Sequence, residues 1–142
     1  MKYTELTKKA LRISFDAHKE QYDKTGLPYI FHPFHLAEQF NEEDYICVAL
    51  LHDVVEDTDI TFKDLEKYGF NERIISALKL LTHSDDVDYM DYIGKIRDNE
   101  IARRVKIEDL KHNSDITRLD SVKEYDILRN NKYKKALEYL LK

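Results

Sequence analysis

Apolar residues recur at helical spacing along nearly the whole chain. Leu6, Ala10, Ile13 and Ala17 fall three or four apart, the interval of one helix face. The same stripe runs on into Gln21 and Lys24 and predicts a first helix ending near Thr25-Gly26, where glycine is a natural stop. A second helix follows through about Phe40, with Pro33 in its first turn, where a missing N–H is harmless. Asn41 reads as the N-cap of a third, with Glu42, Glu43 and Asp44 beside the positive end of its dipole, and this helix runs to about Asp57. The pattern then predicts helices over 61–68 (Thr61 as cap, Gly69 as stop), from Asn71 to about Leu81, and over 89–97 and 100–112. A last one over 121–141 carries Tyr133, Ala136, Leu137 and Leu140 toward the core, and 82–86 is a polar loop. With no strand, linker or repeat, the expected fold is all-α: one domain, residues 1–142, of about seven or eight helices.

The third helix differs from the rest. Ile46, Cys47, Val48, Ala49, Leu50, Leu51, Val54 and Val55 surround its axis, and a helix apolar all round is a buried helix. His52, Asp53, Glu56 and Asp57 interrupt it at two i, i+4 spacings, within an arc of about 140° on a continuous helix. Charges buried there need partners, and a bound cation is an economical one. The expectation is a metal site.

Composition narrows the function. A charged fraction of 36% and a hydrophobic fraction of 42% suit a soluble globular protein, and three Gly with two Pro are too few for a turn-rich β architecture. The net charge of −5, with no basic tract, speaks against binding a nucleic-acid polymer. No apolar run is long enough for a membrane span, and residues 1–5 open an amphipathic segment rather than a signal peptide. Cys47 is the only cysteine, so no internal disulfide can form. It fits the core and a reducing compartment; the expected location is the cytoplasm. Sequence does not fix the oligomeric state.

Candidate chemistry gathers around His52-Asp53, which offers adjacent nitrogen and oxygen ligands. His32, on the preceding helix, is a possible third, and Asp109 could close a two-His, two-carboxylate set; Lys106, Asp109 and Asn113 share one helical stripe. Nitrogen and oxygen ligands without thiolate suit Mn²⁺, Fe²⁺ or Zn²⁺. Such an ion binds a phosphate oxygen and acidifies water. Glu56 and Asp57 are placed as general acid/base candidates. Each residue alone also has an ordinary structural reading, as a hydrogen-bonded core histidine or a polar helix face. Their co-occurrence favours chemistry.

Three motifs then resemble one family. His18-x-x-Gln21-x-x-Lys24-x-Gly26-x-Pro28-Tyr29-Ile30-x-His32-Pro33, the 49–58 stretch around His52-Asp53, and the 106–113 stretch ending His112-Asn113 resemble, in order, the motifs of RelA/SpoT-type HD-domain hydrolases. The resemblance spans about residues 10 to 120. It implies an all-helical HD fold holding one Mn²⁺ through His32, His52, Asp53 and Asp109. It implies Glu56 and Asp57 as the catalytic acidic pair, and Lys24, Tyr29 and Asn113, with Lys106 of the third motif, as substrate-binding positions. The implied reaction removes pyrophosphate from the 3′ position of (p)ppGpp, giving GDP or GTP. A stand-alone alarmone hydrolase without a synthetase domain is expected, with a small nucleotide as its partner. Two positions depart from the family pattern. Asp23 stands where the family carries a purine-stacking arginine, and His83 where relatives often have lysine. Asp23 offers neither a planar cation nor positive charge. The alternatives are therefore another 2′- or 3′-phosphorylated nucleotide or a deoxynucleotide as substrate, and a non-catalytic nucleotide-binding module.

Overall fold

The computed structural model describes all residues, 1–142, as nine α-helical segments and one short 3₁₀ turn. They are α1 (Glu5–His18), α2 (Phe31–Glu38), α3 (Glu43–Leu51), α4 (Val54–Asp57), α5 (Phe62–Lys67), α6 (Glu72–Leu81), α7 (Tyr89–Ile96), α8 (Glu100–Asn113) and α9 (Glu124–Leu141), with the 3₁₀ turn at Ile116–Arg118. The only β pairing is an isolated bridge between Tyr22 and Pro28. No helix is long and apolar enough to cross a membrane.

The sequence patterns account for most of these boundaries. Thr4 and Thr61 close capping boxes at the starts of α1 and α5, and the side chains of Asn71, Asp88 and Asn99 cap α6, α7 and α8. Each satisfies an N–H that would otherwise be orphaned. Gly69 ends α5 at φ +98°, a conformation that an L side chain would strain. As expected, α3 is the hub. Every residue from Tyr45 to Leu51 is buried, and α1, α2, α6 and α8 pack around it. Cys47 lies in this core as a free thiol.

Three boundaries differ from the sequence pattern. α1 stops at His18, seven residues before Thr25, because Asp23 builds a turn of its own. Its Oδ1 accepts the Thr25 N–H at 2.8 Å, the Leu27 N–H at 3.1 Å and the Thr25 hydroxyl at 2.5 Å. Such side-chain bonds offer the backbone an alternative to the helix. At α3 the N-cap is Glu42, without a side-chain bond, rather than Asn41. The third difference shapes the site: the helix expected to reach Asp57 breaks at His52-Asp53. His52 Nδ1 donates to the Ala49 carbonyl at 2.7 Å, the acceptor that a continuing helix would give to the Asp53 N–H. Asp53 falls at φ −108°, ψ 0°, and the chain restarts as the single turn α4. The split adds one segment to the expected count.

Candidate metal centre and nucleotide cleft

The break delivers His52 into the core and turns the following acidic residues outward. His52 is 4% exposed, whereas Glu56 and Asp57 lie at the surface. The expectation that all four polar residues of this stretch are buried therefore holds for His52 and largely for Asp53, but not for the acidic pair. α2 contributes His32 and α8 contributes Asp109, both buried. One ligand atom each from His32, His52 and Asp109 fits within 4.8 Å of the others.

The electrostatics of this cluster favour added positive charge. Because His52 spends its Nδ1 proton on Ala49, its Nε2 faces inward, 2.9 Å from Asp53 Oδ2 and 3.5 Å from Asp109 Oδ1. Nε2 is buried and makes no hydrogen bond. Burial opposes protonation of His52, yet Asp53 and Asp109 raise its pKa well above the ordinary value. The surroundings call for positive charge at Nε2, supplied by a proton or by a metal ion. His32 Nε2 lies 2.8 Å from the same Asp109 Oδ1. Two imidazole nitrogens thus converge on one carboxylate oxygen, an arrangement that a divalent cation satisfies.

Asp109 is held by its own stripe, as the sequence spacing anticipated. Lys106 Nζ donates to its Oδ2 at 2.9 Å and Asn113 Nδ2 to its Oδ1 at 3.0 Å. Burial raises the Asp109 pKa, but Lys106, His32 and His52 outweigh it and hold the carboxyl well below the usual range. For Asp53, burial is likewise outweighed, first by His52, and its pKa falls to about 2. The Tyr29 hydroxyl donates to Asp53 Oδ2. Asp53 therefore sits beside the cluster, engaged by both Tyr29 and His52.

Two cavities flank this centre. One, of about 180 Å³, is lined by His52, Asp53, Glu56, Lys106, Asp109 and Lys132, among others. The other, of about 270 Å³, is lined by Lys24, Tyr29, His32, Arg118 and Arg129. Asn113 and Tyr133 line both. All four expected substrate-binding positions thus face one cavity or the other. In the first, Glu56 Oε1 accepts the His83 N–H at 2.6 Å. Partial burial, with the charges of Asp53 and Asp57, raises the Glu56 pKa against that bond; burial and Asp53 raise that of Asp57. His83, the second departure from the motif pattern, acts here through its backbone while its ring stacks on Tyr92 at 4.5 Å. A larger apolar groove of about 610 Å³, by Phe15, Phe31 and Phe34, holds none of these groups.

Several residues of the cleft lie outside the three motifs: Arg118, Arg129, Lys132 and Tyr133. The i, i+4 spacing of Arg129 and Tyr133 was the sequence signal for one shared face of α9.

Known proteins resemble this chain in sequence and in fold. The guanosine-3′,5′-bis(diphosphate) 3′-pyrophosphohydrolase of Aquifex aeolicus is 32% identical over 94% of this chain and 20% of its own length. The bifunctional (p)ppGpp synthase/hydrolase SpoT of Escherichia coli is 33% identical over 59% of this chain and 12% of its own. The chain is related to the RelA/SpoT-type hydrolases. It spans about one fifth or less of the length of these relatives. A solved structure of a metazoan SpoT ortholog that hydrolyzes ppGpp superposes with a TM-score of 0.80 at 21% identity, over 100% of this chain and 88% of that one. The all-helical fold is therefore the fold of that hydrolase. No protein-family model matches the chain.

Proposed function

We propose that this chain is a metal-dependent (p)ppGpp 3′-pyrophosphohydrolase, a single domain at residues 1–142 that releases pyrophosphate and leaves GDP or GTP. The observation that carries this reading is the bare, buried Nε2 of His52 among Asp53, Asp109 and His32, in a chain related to enzymes of that activity. His32, His52, Asp53 and Asp109 would hold the ion, with Mn²⁺ as the proposed metal. Bound there, the ion would neutralise phosphate charge and acidify water.

The protein's own groups account for the rest. Lys106 and Asn113 fix Asp109, and Tyr29 fixes Asp53. Glu56, in the cavity beside the cluster, is anchored by the His83 N–H. With its raised pKa it can take a proton from the attacking water and return one to the departing 3′ oxygen. The water oxygen bonds to phosphorus as the phosphorus–O3′ bond breaks. Asp57 is one residue farther along α4 and supports that exchange. Lys24, Tyr29, Lys106 and Asn113 contact the nucleotide. A guanine-nucleotide substrate and the free thiol of Cys47 favour a cytoplasmic setting.

Incubation of ppGpp with Mn²⁺-loaded protein, followed by separation of products, tests the reaction. GDP and pyrophosphate in equal amounts are expected. Intact ppGpp, or release of single phosphates, contradicts it.

A further inference from the structure

The second cavity carries more positive charge than anchoring one metal-bound phosphate requires. Lys24, Arg118 and Arg129 line it, against one carboxylate, Asp23. That carboxylate is spent. Its Oδ1 accepts three bonds within the 23–27 turn, its Oδ2 takes Arg118 Nη2 at 3.2 Å, and its side chain is 8% exposed. It is closed to a ligand.

Arg118 is in the opposite condition. It uses one N–H on Asp23 and one on the His112 carbonyl at 2.9 Å. A guanidinium has five, so three remain. The two bonds tie it to the 23–27 turn and to the end of α8, which fixes its plane. Arg129 pairs with Asp126 one turn away on α9, and Lys24 donates to the Asn113 carbonyl at 3.1 Å. The cations still repel one another: burial, then Arg129 and Arg118, lower the Lys24 pKa. A bound anion would relieve that repulsion.

We propose that Arg118, held in place by Asp23, binds the 5′-phosphates of the nucleotide whose 3′ end lies at the histidine cluster. His32 lines this cavity and also belongs to the cluster, so one ligand reaches both. Arg118 is then a specificity-determining residue for nucleotides phosphorylated at both ends of the ribose. Asp23 is its positioning residue. The inference rests on the hydrolase reading for the identity of the nucleotide, but the site itself is a matter of binding.

Titration calorimetry with GDP and with guanosine, on wild type and variants, tests it. R118A should weaken GDP binding about tenfold or more, the value of losing a charge-assisted pair of bonds, and leave guanosine binding unchanged. R118K keeps a cation near Asp23, so its thermal midpoint should stay near wild type while GDP binding still falls several-fold. D23A should also weaken GDP binding, but D23A/R118A no further than R118A, because Asp23 acts through Arg118. GDP binding unaltered in R118A and R118K, equal losses for GDP and guanosine, or no GDP binding by wild type would each overturn the proposal. The hydrolase reading fails separately: Arg118-dependent GDP binding without ppGpp turnover sinks that reading and leaves this one standing.

Discussion

The Nδ1 atoms of His32 and His112 lie 2.7 Å apart with their rings stacked, so one imidazole donates and the other accepts. Burial, then the proximity of His32 and Arg118, lowers the His112 pKa to about 4, so its ring is neutral and able to accept. With an ion on its Nε2, His32 would carry its proton on Nδ1 and donate it to His112. Metal-binding histidines are commonly fixed through the other ring nitrogen in this way. H112F, which removes the acceptor, should weaken metal affinity about 10- to 100-fold in competition with a chelator. H112N should lose less. Equal affinity in H112F and wild type would contradict the pairing.

Lys106 and Asp109 form a buried ion pair, with side chains 14% and 7% exposed. Removing one partner of such a pair leaves an uncompensated charge, at a cost of about 3 kcal/mol or more. In metal-free protein, K106M should lower the unfolding free energy by about that much in urea titrations. Added metal should restore part of it.

Glu56 is anchored only by the His83 N–H and stands outside the histidine cluster. E56Q should therefore cut kcat about 100-fold or more while metal affinity, read by the same competition, stays unchanged. A parallel loss of metal would move Glu56 from proton transfer to ligation.

His18 is 1% exposed, bonded through Nδ1 to Gln21 at 2.7 Å, with Nε2 unpartnered. Burial lowers its pKa below the ordinary 6.5 despite that bond. The unfolded chain then binds the proton more readily than the folded one. Its contribution to stability is complete above about pH 6.5 and is lost as pH falls toward the folded-state pKa. Unfolding measured in a chelator should show stability declining below pH 6.5 in wild type, with a shallower decline in H18Q. Identical slopes would contradict this assignment.

Much of this was legible in the sequence because helix period and caps are local signals. The caps at Thr61 and Asn71, the stop at Gly69 and the burial of α3 follow from neighbours within a few residues. The Lys106, Asp109 and Asn113 stripe is also local, and its hydrogen bonds form as the spacing implies. What the sequence did not reveal depends on side chains competing for backbone. His52 takes the Ala49 carbonyl and breaks a helix that its apolar pattern would continue, and Asp23 builds a turn where a stripe continues on paper. Arg118 was invisible for another reason: its ion pair with Asp23 spans 95 residues. Asp23, which in the sequence is only a missing arginine, is in the structure the residue that holds one.

The most direct test of the metal centre is ppGpp hydrolysis by chelator-stripped protein as Mn²⁺ is added back, with H52A run beside wild type. Activity should rise to a plateau near one ion per chain and be absent in H52A at every concentration. Full turnover by stripped wild type, or by H52A, would contradict a catalytic ion at the His32, His52 and Asp109 cluster.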